Sequence, residues 1–291
     1  MTNAIRFFER AIALDPNFAE AYAGLASCYT WLDPPRSFAS VRQPAEKALR
    51  LNPNLPEAHK CSALVKYTVD WRFSEAEEEF KLAIRLDPRD GETLRAYGNY
   101  LKTMGRTKEA IAVLTRAHEL DPRAISTTEM LGNAFFEAGD YEQALRQFQT
   151  CLDLEPNHPA TRYYMSQVYE EQGLFLKAID LEAEDDVLTG QDRQTVSQRS
   201  DALRNAYNSG GANAYWRKSL ELAKEDPSNG PFDFAELYAR LGDKESAIRY
   251  LEEAVQKRDP ALVMGLKISP AFRKFRKEPE FIALLKKMKW E

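Results

Sequence analysis

The sequence predicts an all-α fold built from antiparallel pairs of short helices. Pro88, Pro122 and Pro156 lie 34 residues apart, twice in succession. Ahead of each proline, alanine and a large apolar residue recur with the spacing A-x3-F/L, which places them on one face of a helix. Because the residue before a proline avoids helical dihedral angles, each proline ends a helix. A period of this length with one helix end per period indicates a repeated helix pair.

The most regular repeat runs from Arg123 to Pro156. Its small and apolar residues mark two helices: Leu131, Gly132, Phe135, Ala144, Phe148 and Cys151. The small residues Gly132 and Ala144 allow the two helices to cross closely, and Phe148 fills the space beside them. Gly139 suits a left-handed helix end, and Asp140 is suited to cap the helix that follows. The stretch therefore predicts two helices joined by a Gly-Asp turn.

This repeat resembles a tetratricopeptide (TPR) unit. The family pattern W-x2-L-G-x2-Y, A-x3-F and P is matched here by Thr128-x2-Leu131-Gly132-x2-Phe135, Ala144-x3-Phe148 and Pro156, without the leading tryptophan. The resemblance implies a right-handed superhelical solenoid whose first helices line a concave binding face. It also implies a scaffold that binds a protein or peptide segment rather than an enzyme.

The same pattern divides the whole chain into one solenoid. The expected boundaries are a half repeat at 1–17, helix pairs at 18–54, 55–89, 90–123, 124–157, 158–191, 192–228 and 229–260, and a C-terminal cap at 261–291. The half repeat has the second-helix spacing Ala4, Phe8, Ala11 and Pro16 with no first helix before it. Since its apolar face needs a partner, we expect an excised segment of a longer protein, or self-association through this half repeat.

The first complete pair contains an insertion. Pro34 and Pro35 are expected outside the second helix, and Pro44 is expected in that helix's first turn, because proline disrupts a helix interior. Further along, the acidic run Glu182–Asp186 is interpreted as a solvated helix face. Gly210-Gly211 predicts a turn within an irregular sixth repeat.

The C-terminal cap is predicted as a final helix with an apolar face and with its lysines in water. The apolar face consists of Phe281, Leu284, Leu285 and Met288. The basic residues Arg273, Lys274, Arg276 and Lys277 precede it. They lack aromatic residues at stacking spacing, because Phe272 and Phe275 are expected to pack inward, so no nucleic-acid site is predicted.

The bulk composition excludes several classes of protein. The chain has 291 residues and a formal net charge of -5, which argues against general nucleic-acid binding. No apolar run approaches the roughly 18 residues of a membrane helix, so no membrane partner is expected. The three scattered cysteines, Cys28, Cys61 and Cys151, are interpreted as packing residues rather than a disulfide framework. A cytoplasmic location is expected, or a periplasmic one if the parent protein has an upstream membrane segment.

No motif in the sequence indicates catalysis. GxxxxGK, GxGxxG, HExxH and GxSxG are absent. The three histidines, His59, His118 and His158, fall in different repeats without metal-ligand spacing. We therefore expect no enzyme activity, no metal and no cofactor.

A finer resemblance supports an alternative function. The segments VDWRFSEAEEEFKLAI (69–84) and FAELYARLGDKESAIRYLEEAVQKRDP (234–260), followed by SPAFRKFRKEPEF (269–281), resemble the C-terminal TPR regions of bacterial signalling proteins. In those proteins a winged-helix, cyclase or kinase domain stands upstream. The alternative is thus a regulatory or sensor module of such a protein.

The binding site is expected on the first helices of the third to fifth pairs. Amides there are suited to read a peptide backbone and aromatic rings to anchor a side chain. The predicted site residues are Arg95, Asn99, Lys102, Asn133, Phe136, Tyr163 and Gln167. Charge along this face changes from Arg95 and Lys102 to Glu170 and Glu171, so an extended ligand is expected to place its acidic end near Arg95.

Overall fold

The computed structural model describes residues 2–31, 34–158, 160–288 and 290. Regular secondary structure in these residues is helical throughout, as the sequence predicts. The first helices are α1 (Thr2–Leu14), α2 (Ala19–Thr30), α3 (Pro34–Leu51), α4 (Pro56–Thr68), α5 (Phe73–Leu86), α6 (Gly91–Thr103), α7 (Thr107–Leu120) and α8 (Ile125–Ala138). The others are α9 (Tyr141–Leu154), α10 (Thr161–Glu171), α11 (Phe175–Leu188), α12 (Arg193–Glu225), α13 (Pro231–Leu241), α14 (Lys244–Lys257), α15 (Pro260–Gly265) and α16 (Pro279–Lys287), with a 3₁₀ turn at Pro270–Phe272.

The helices form two compact units. The first unit contains residues 1–100 together with 285–291, and the second contains residues 101–284. In both units consecutive helices pack as pairs, such as α2 with α3 and α8 with α9. Each pair buries small and apolar residues against the next helix in the chain.

The first unit is packed around small side chains. One core group joins α2, α3 and α4 through Ala26, Val41, Ala45, Cys61 and Val65, all of which are buried. Small residues at these crossings let the helices approach closely. The buried Cys61 agrees with its interpretation as a packing residue.

Helix α3 corrects the expectation about the prolines. It begins at Pro34, so Pro34 and Pro35 both lie in its first turn, and Pro44 lies in the helix interior. Pro44 has no N–H to donate there, but it is buried between Val41 and Ala48, whose exposed fractions are 0%. Packing of the helix therefore outweighs the lost backbone hydrogen bond.

The second unit contains the most regular pair, α8 with α9. A Cβ atom on Gly132 would lie 2.6 Å from Cε1 of the buried Phe148, so only glycine fits this crossing. Gly139 has φ +80° and ends α8 in the left-handed conformation. Asp140 then accepts a hydrogen bond from the backbone N–H of Gln143 at 3.2 Å and caps α9. All three features were predicted from the sequence.

Helix α12 is broken at the predicted glycine turn. Gly210 and Gly211 have non-helical dihedral angles, and Gly211 has φ +63°. The segment after the break carries Tyr215 and Trp216, which pack on Phe175 of α11 with ring centroids 4.8 Å and 5.8 Å apart. The break thus positions two aromatic residues beside α11.

The C-terminal residues after α14 are folded back onto the helices. In the second unit, Phe272 is fully buried and its ring lies 5.7 Å from that of Phe232 on α13 and 6.1 Å from that of Phe281 on α16. The predicted apolar face of α16 is confirmed for Phe281 and Leu284, which are buried. Phe272, Phe281 and Leu284 of the cap are consequently part of the hydrophobic core of the second unit.

Candidate functional site

Two of the predicted site residues, Arg95 and Asn99, lie on α6 in the first unit. The guanidinium of Arg95 lies 5.1 Å from the ring centroid of Trp31, and its Nη2 is 2.7 Å from Oε2 of Glu92. The amide nitrogen of Asn99 donates to the hydroxyl of Tyr67 at 3.3 Å. The buried Oδ1 of Asn99 has no hydrogen-bond partner. Arg95 is therefore held by contacts within this unit, and Asn99 retains one unused acceptor.

Three further predicted residues in the second unit are buried. Lys102, Asn133 and Phe136 are each exposed by less than a tenth. The ammonium of Lys102 lies 3.2 Å from Oε1 of Glu137, and the ring of Phe136 packs on Tyr141. The positive charge of Lys102 is thus balanced by a neighbouring carboxyl within the fold.

The last two predicted residues remain accessible. Tyr163 on α10 is 41% exposed. One turn later on the same helix, Nε2 of Gln167 donates to the Tyr163 hydroxyl at 3.0 Å. The amide therefore orients an aromatic ring that is open to solvent.

Three carboxyl groups lie near Tyr163: Glu170 on the same helix, Glu182 on α11 and Glu236 on α13. Glu171 on α10 lies beside Glu170. We call these four residues the acidic cluster. Partial desolvation of the Tyr163 hydroxyl by its surroundings, followed by the charges of Glu236, Glu182 and Glu170, raises its pKa, although the ring as a whole stays accessible. The exposed tyrosine thus lies in the negative potential of this cluster.

Glu170 interacts with charged or polar groups from three other helices, namely Glu182, Tyr215 and Arg240. Its Oε1 accepts a hydrogen bond from the hydroxyl of Tyr215 at 2.5 Å. Burial, then the charge of Glu182, raises the pKa of Glu170 to about 8, although Arg240 and the Tyr215 hydroxyl act in the opposite direction. Glu170 consequently releases its proton less readily than an ordinary glutamate does, and a nearby cation favours its ionised form.

Arg240 is the cation that faces the acidic cluster from α13. It forms an ion pair with Glu171 in which both side chains are largely buried. Its guanidinium also lies 4.7 Å from the ring centroid of Trp216. Because the pair and the ring fix Arg240 from two sides, it acts as a structural counter-ion for part of the cluster.

Sequence reasoning missed four of these residues: Tyr215, Trp216, Glu236 and Arg240. Their only signal was local: Glu236 and Arg240 are one turn apart, and Tyr215-Trp216 follows a glycine turn. Neither feature indicates that α12 and α13 face α10. That arrangement depends on packing between helices distant in the chain.

The acidic run Glu182–Asp186 is not the solvated face that the sequence suggested. Asp185 is buried, with 9% of its surface exposed. Asp186 forms an ion pair with Arg199 of α12, and Glu184 lies 3.2 Å from Nε of Arg162 on α10. Glu184 and Asp186 therefore join α11 to α10 and α12 through Arg162 and Arg199.

In the part of the chain that the structure describes, no three or more His, Cys, Asp or Glu side chains are grouped to hold a metal ion. Within the same residues, no helix is long and apolar enough to span a bilayer.

Two segments of the chain match protein-family models. Residues 103–181 match the model described as anaphase-promoting complex, cyclosome, subunit 3, and residues 232–256 match a tetratricopeptide repeat model. These matches support the TPR resemblance found in the sequence. No curated protein matches the chain in sequence.

Several solved structures share the fold. Pseudomonas aeruginosa pilF is 22% identical, with a TM-score of 0.51, covering 89% of this chain and 97% of that one. PilW, a type IV pilus biogenesis factor, is 14% identical with a TM-score of 0.54, covering 92% and 98%. A human IFIT1 dimer with PPP-AAAA is 16% identical with a TM-score of 0.51, covering 89% and 68%. The predicted fold class, an all-α TPR-like solenoid, is therefore confirmed.

Proposed function

We propose that this chain is a non-catalytic scaffold that binds a protein or peptide segment on the α10–α13 face of its second unit. The observation that carries the proposal is the accessible Tyr163, held by Gln167 among the carboxyls of the acidic cluster. Tyrosines of this kind contribute strongly to binding, because they supply a large contact area at a low cost in conformational entropy. A TPR-like fold is consistent with this role.

The charge of this face favours a basic ligand. Three carboxyls, Glu170, Glu182 and Glu236, lie near Tyr163. Arg240 is already engaged by the ion pair with Glu171 and by the ring of Trp216. An arginine or lysine side chain arriving beside Glu170 or Glu236 gains electrostatic attraction and favours the ionised form of these acids. We therefore place a basic part of the ligand next to α10 and α13.

The acidic end of the ligand that the sequence suggested has weaker support. Lys102 lies 3.2 Å from Glu137, and both side chains are less than a tenth exposed. A buried, paired lysine offers little attraction to an incoming carboxylate. The ligand's basic part is the better-supported feature of the proposal.

Binding of defined peptides tests the proposal. Labelled peptides of equal length, one basic, one neutral and one acidic, are titrated into the wild type and the double variant Tyr163→Ala/Gln167→Ala. We expect the basic peptide to bind best and the double variant to weaken it by about tenfold or more. The matched control is Arg146→Ala/Gln149→Ala on the exposed side of α9, which should bind as the wild type does.

Two results would argue against this site. Equal binding of the basic and acidic peptides would remove the electrostatic argument. Full affinity in the Tyr163→Ala/Gln167→Ala variant, together with a loss in the α9 control, would place the ligand elsewhere. Circular dichroism of both variants checks that the helices are retained.

The alternative function, a regulatory module of a bacterial signalling protein, concerns the parent protein rather than this surface. In that case the same face would bind the regulating partner, and an effector domain would stand in the same gene. The gene sequence upstream of Met1 decides between an isolated scaffold and such a module.

A further inference from the structure

The first unit contains a cleft whose walls are apolar and whose charged residues are acidic. Residues of α1, α2 and the start of α4 line it, and its volume is about 410 Å³. The carboxyl groups belong to Glu20 and Glu57, and the apolar residues are Phe8, Ala23, Gly24 and Leu55. A cleft of this size and charge is suited to an apolar side chain that has a positive charge beside it.

The cleft is open because the residues of α2 that line it are small. A Cβ atom on Gly24 would lie 2.4 Å from Cζ of Phe8, so the ring of Phe8 packs directly on the glycine backbone. Ala23, the residue beside Gly24, has a side chain of a single methyl group. Neither residue fills the space above α2, and a large side chain from another molecule therefore has room there.

The two carboxyl groups of the cleft differ in how far they are neutralised. Oε2 of Glu57 lies 2.8 Å from the ammonium of Lys60, one turn later on α4. Glu20 is exposed in the first turn of α2, and it forms no ion pair with the residues that the structure describes. Glu20 is therefore the carboxylate of the cleft that is available to an incoming cation.

The exposed face of α1 has the complementary character. Four exposed residues follow one another along it at helical spacing: Asn3, Phe7, Arg10 and Leu14. Arg6 is exposed as well, one turn before Arg10. The acidic residue Glu9 lies about 200° around the helix from Phe7, on the other side. Phe7, which is 72% exposed, is thus a large apolar side chain with two arginines beside it.

We propose that two copies of this chain associate through α1, with Phe7 of each copy in the cleft of the other and Arg10 beside Glu20. The chain itself offers this occupant, since α1 carries an exposed aromatic ring and a charge opposite to that of the cleft. Phe7 and Phe8 are neighbours, so the inserted side chain and the receiving cleft belong to the same part of the surface. One two-fold symmetric contact therefore fills both clefts and closes the assembly as a dimer.

Sedimentation velocity of the full chain over a range of concentrations measures the dimer. We expect the wild type to dimerise and Phe7→Ala to raise the dissociation constant about tenfold or more, because it removes the inserted ring. Arg10→Glu and Glu20→Arg should each have an effect of similar size, since each sets like charges opposite one another in both halves of the dimer. These positions are exposed, so circular dichroism should show the same helix content in every variant.

Mixing the two charge-reversed chains tests the pairing itself. In a mixed dimer of Arg10→Glu with Glu20→Arg, both contacts again join opposite charges. The mixture should therefore dimerise with nearly the affinity of the wild type, although neither variant does so alone. The matched controls are Arg85→Glu and Glu78→Arg on the exposed side of α5, which should dimerise as the wild type does, alone and mixed.

Cys28 reports whether the partner copy enters the cleft. Its thiol lines the cleft and is partly accessible, whereas Cys61 and Cys151 are buried. Alkylation of Cys28, followed by mass spectrometry, should slow as the dimer fraction of the wild type rises with concentration. In Phe7→Ala at the same concentrations, the rate should stay at the value of the monomer.

Several results would overturn the proposal. A wild type that stays monomeric at the highest concentration reached leaves the cleft to another occupant. A dimer that keeps its affinity in Phe7→Ala and in both charge reversals forms through a different surface. A mixture that dimerises no better than its components rules out the pairing of Arg10 with Glu20, and a Cys28 rate that is independent of the dimer fraction rules out the cleft.

Discussion

The indole of Trp290 stacks on the ring of Phe73 within the first unit, with centroids 5.0 Å apart and planes inclined by 15°. Trp290 is 1% exposed, although it is the penultimate residue of the chain. Trp290 is therefore a structural part of the first unit.

Replacing Trp290 with alanine should destabilise the protein. A buried aromatic residue replaced by alanine typically costs about 3–5 kcal/mol, and the first unit loses the stacking partner of Phe73. Thermal unfolding measured by calorimetry checks this. The control is Trp31→Ala, because Trp31 is 48% exposed and its contact with Arg95 is worth about 1 kcal/mol at most. Similar losses in the two variants would contradict the prediction.

The crossing of α8 and α9 should not tolerate a side chain at Gly132. Gly132→Ala should lower stability by about 1–3 kcal/mol, because its Cβ would overlap the fully buried ring of Phe148. Urea unfolding measures the change. Gly132→Ala/Phe148→Leu should recover part of the loss relative to Phe148→Leu alone. Gly139→Asn is the control, since no atom lies near that position and asparagine accepts a left-handed conformation.

Glu170 should make stability depend on pH. Its pKa is raised to about 8 by burial, then by Glu182 and Glu171, while Arg240 and Tyr215 oppose the shift. An unfolded glutamate releases its proton near pH 4.3, so the folded state binds one more proton than the unfolded state between these values. This contribution to stability is therefore present in acid and is lost as pH rises from about 4.3 to about 8.

The variant Glu170→Gln should remove this dependence. Its melting temperature relative to the wild type should rise as pH increases through that window, because the amide needs no proton to remain neutral. The exposed Glu142→Gln on α9 is the control. A constant difference between Glu170→Gln and the wild type from pH 5 to pH 8 would show that Glu170 ionises normally in the folded protein.

In the first unit, His59 should also make stability depend on pH, because the fold stabilises the charged form of its imidazole. Its Nδ1 is 2.5 Å from Oε2 of Glu79 and its Nε2 is 2.9 Å from the carbonyl of Pro53, so both ring nitrogens have an acceptor. Burial lowers the pKa of His59, but these two hydrogen bonds outweigh it and the net shift is upward. The stabilisation is complete below the unfolded pKa of about 6.5 and is lost as pH rises through the folded value.

His59→Gln should therefore be less stable than the wild type, with the largest difference in acid. The glutamine amide can still donate a hydrogen bond to one of the two acceptors, Glu79 or the Pro53 carbonyl. It carries no positive charge to attract the carboxylate of Glu79. Melting temperatures at pH 5.5 and at pH 9 measure the effect, with His118→Gln as the comparison. A difference that grows as pH rises would contradict the assignment of a charged imidazole.

Self-association through α1 stays a prediction that light scattering can test. Phe7 and Leu14 on α1 are 72% and 80% exposed. Leu86, which has the same place as Leu14 at the end of its own helix α5, is only 37% exposed. Phe7→Asp/Leu14→Asp should lower the average mass of a concentrated sample towards that of a monomer. Phe8 is unsuitable for this test, because its ring packs on Gly24 and its loss would disturb α2. A monomeric wild type at high concentration would exclude this contact.

The fold was predictable because its signals are local. Helix ends at prolines, the close crossing at Gly132 and the cap at Asp140 each depend on residues near in sequence. The candidate site was predictable only in part. Tyr163 and Gln167 are accessible, but Lys102, Asn133 and Phe136 are buried. Helical spacing tells which residues share a face, and it does not tell what covers that face.

The sequence by itself determined that this protein is an array of helix pairs, because periodic apolar residues, glycines and prolines act through backbone geometry and short-range packing. Only the tertiary structure decided which polar residues are available. The acidic cluster exists because α12 and α13 bring Tyr215, Glu236 and Arg240 to α10. Those contacts join residues distant in the chain, and their energies depend on burial and on the distances between charges, which no local pattern records.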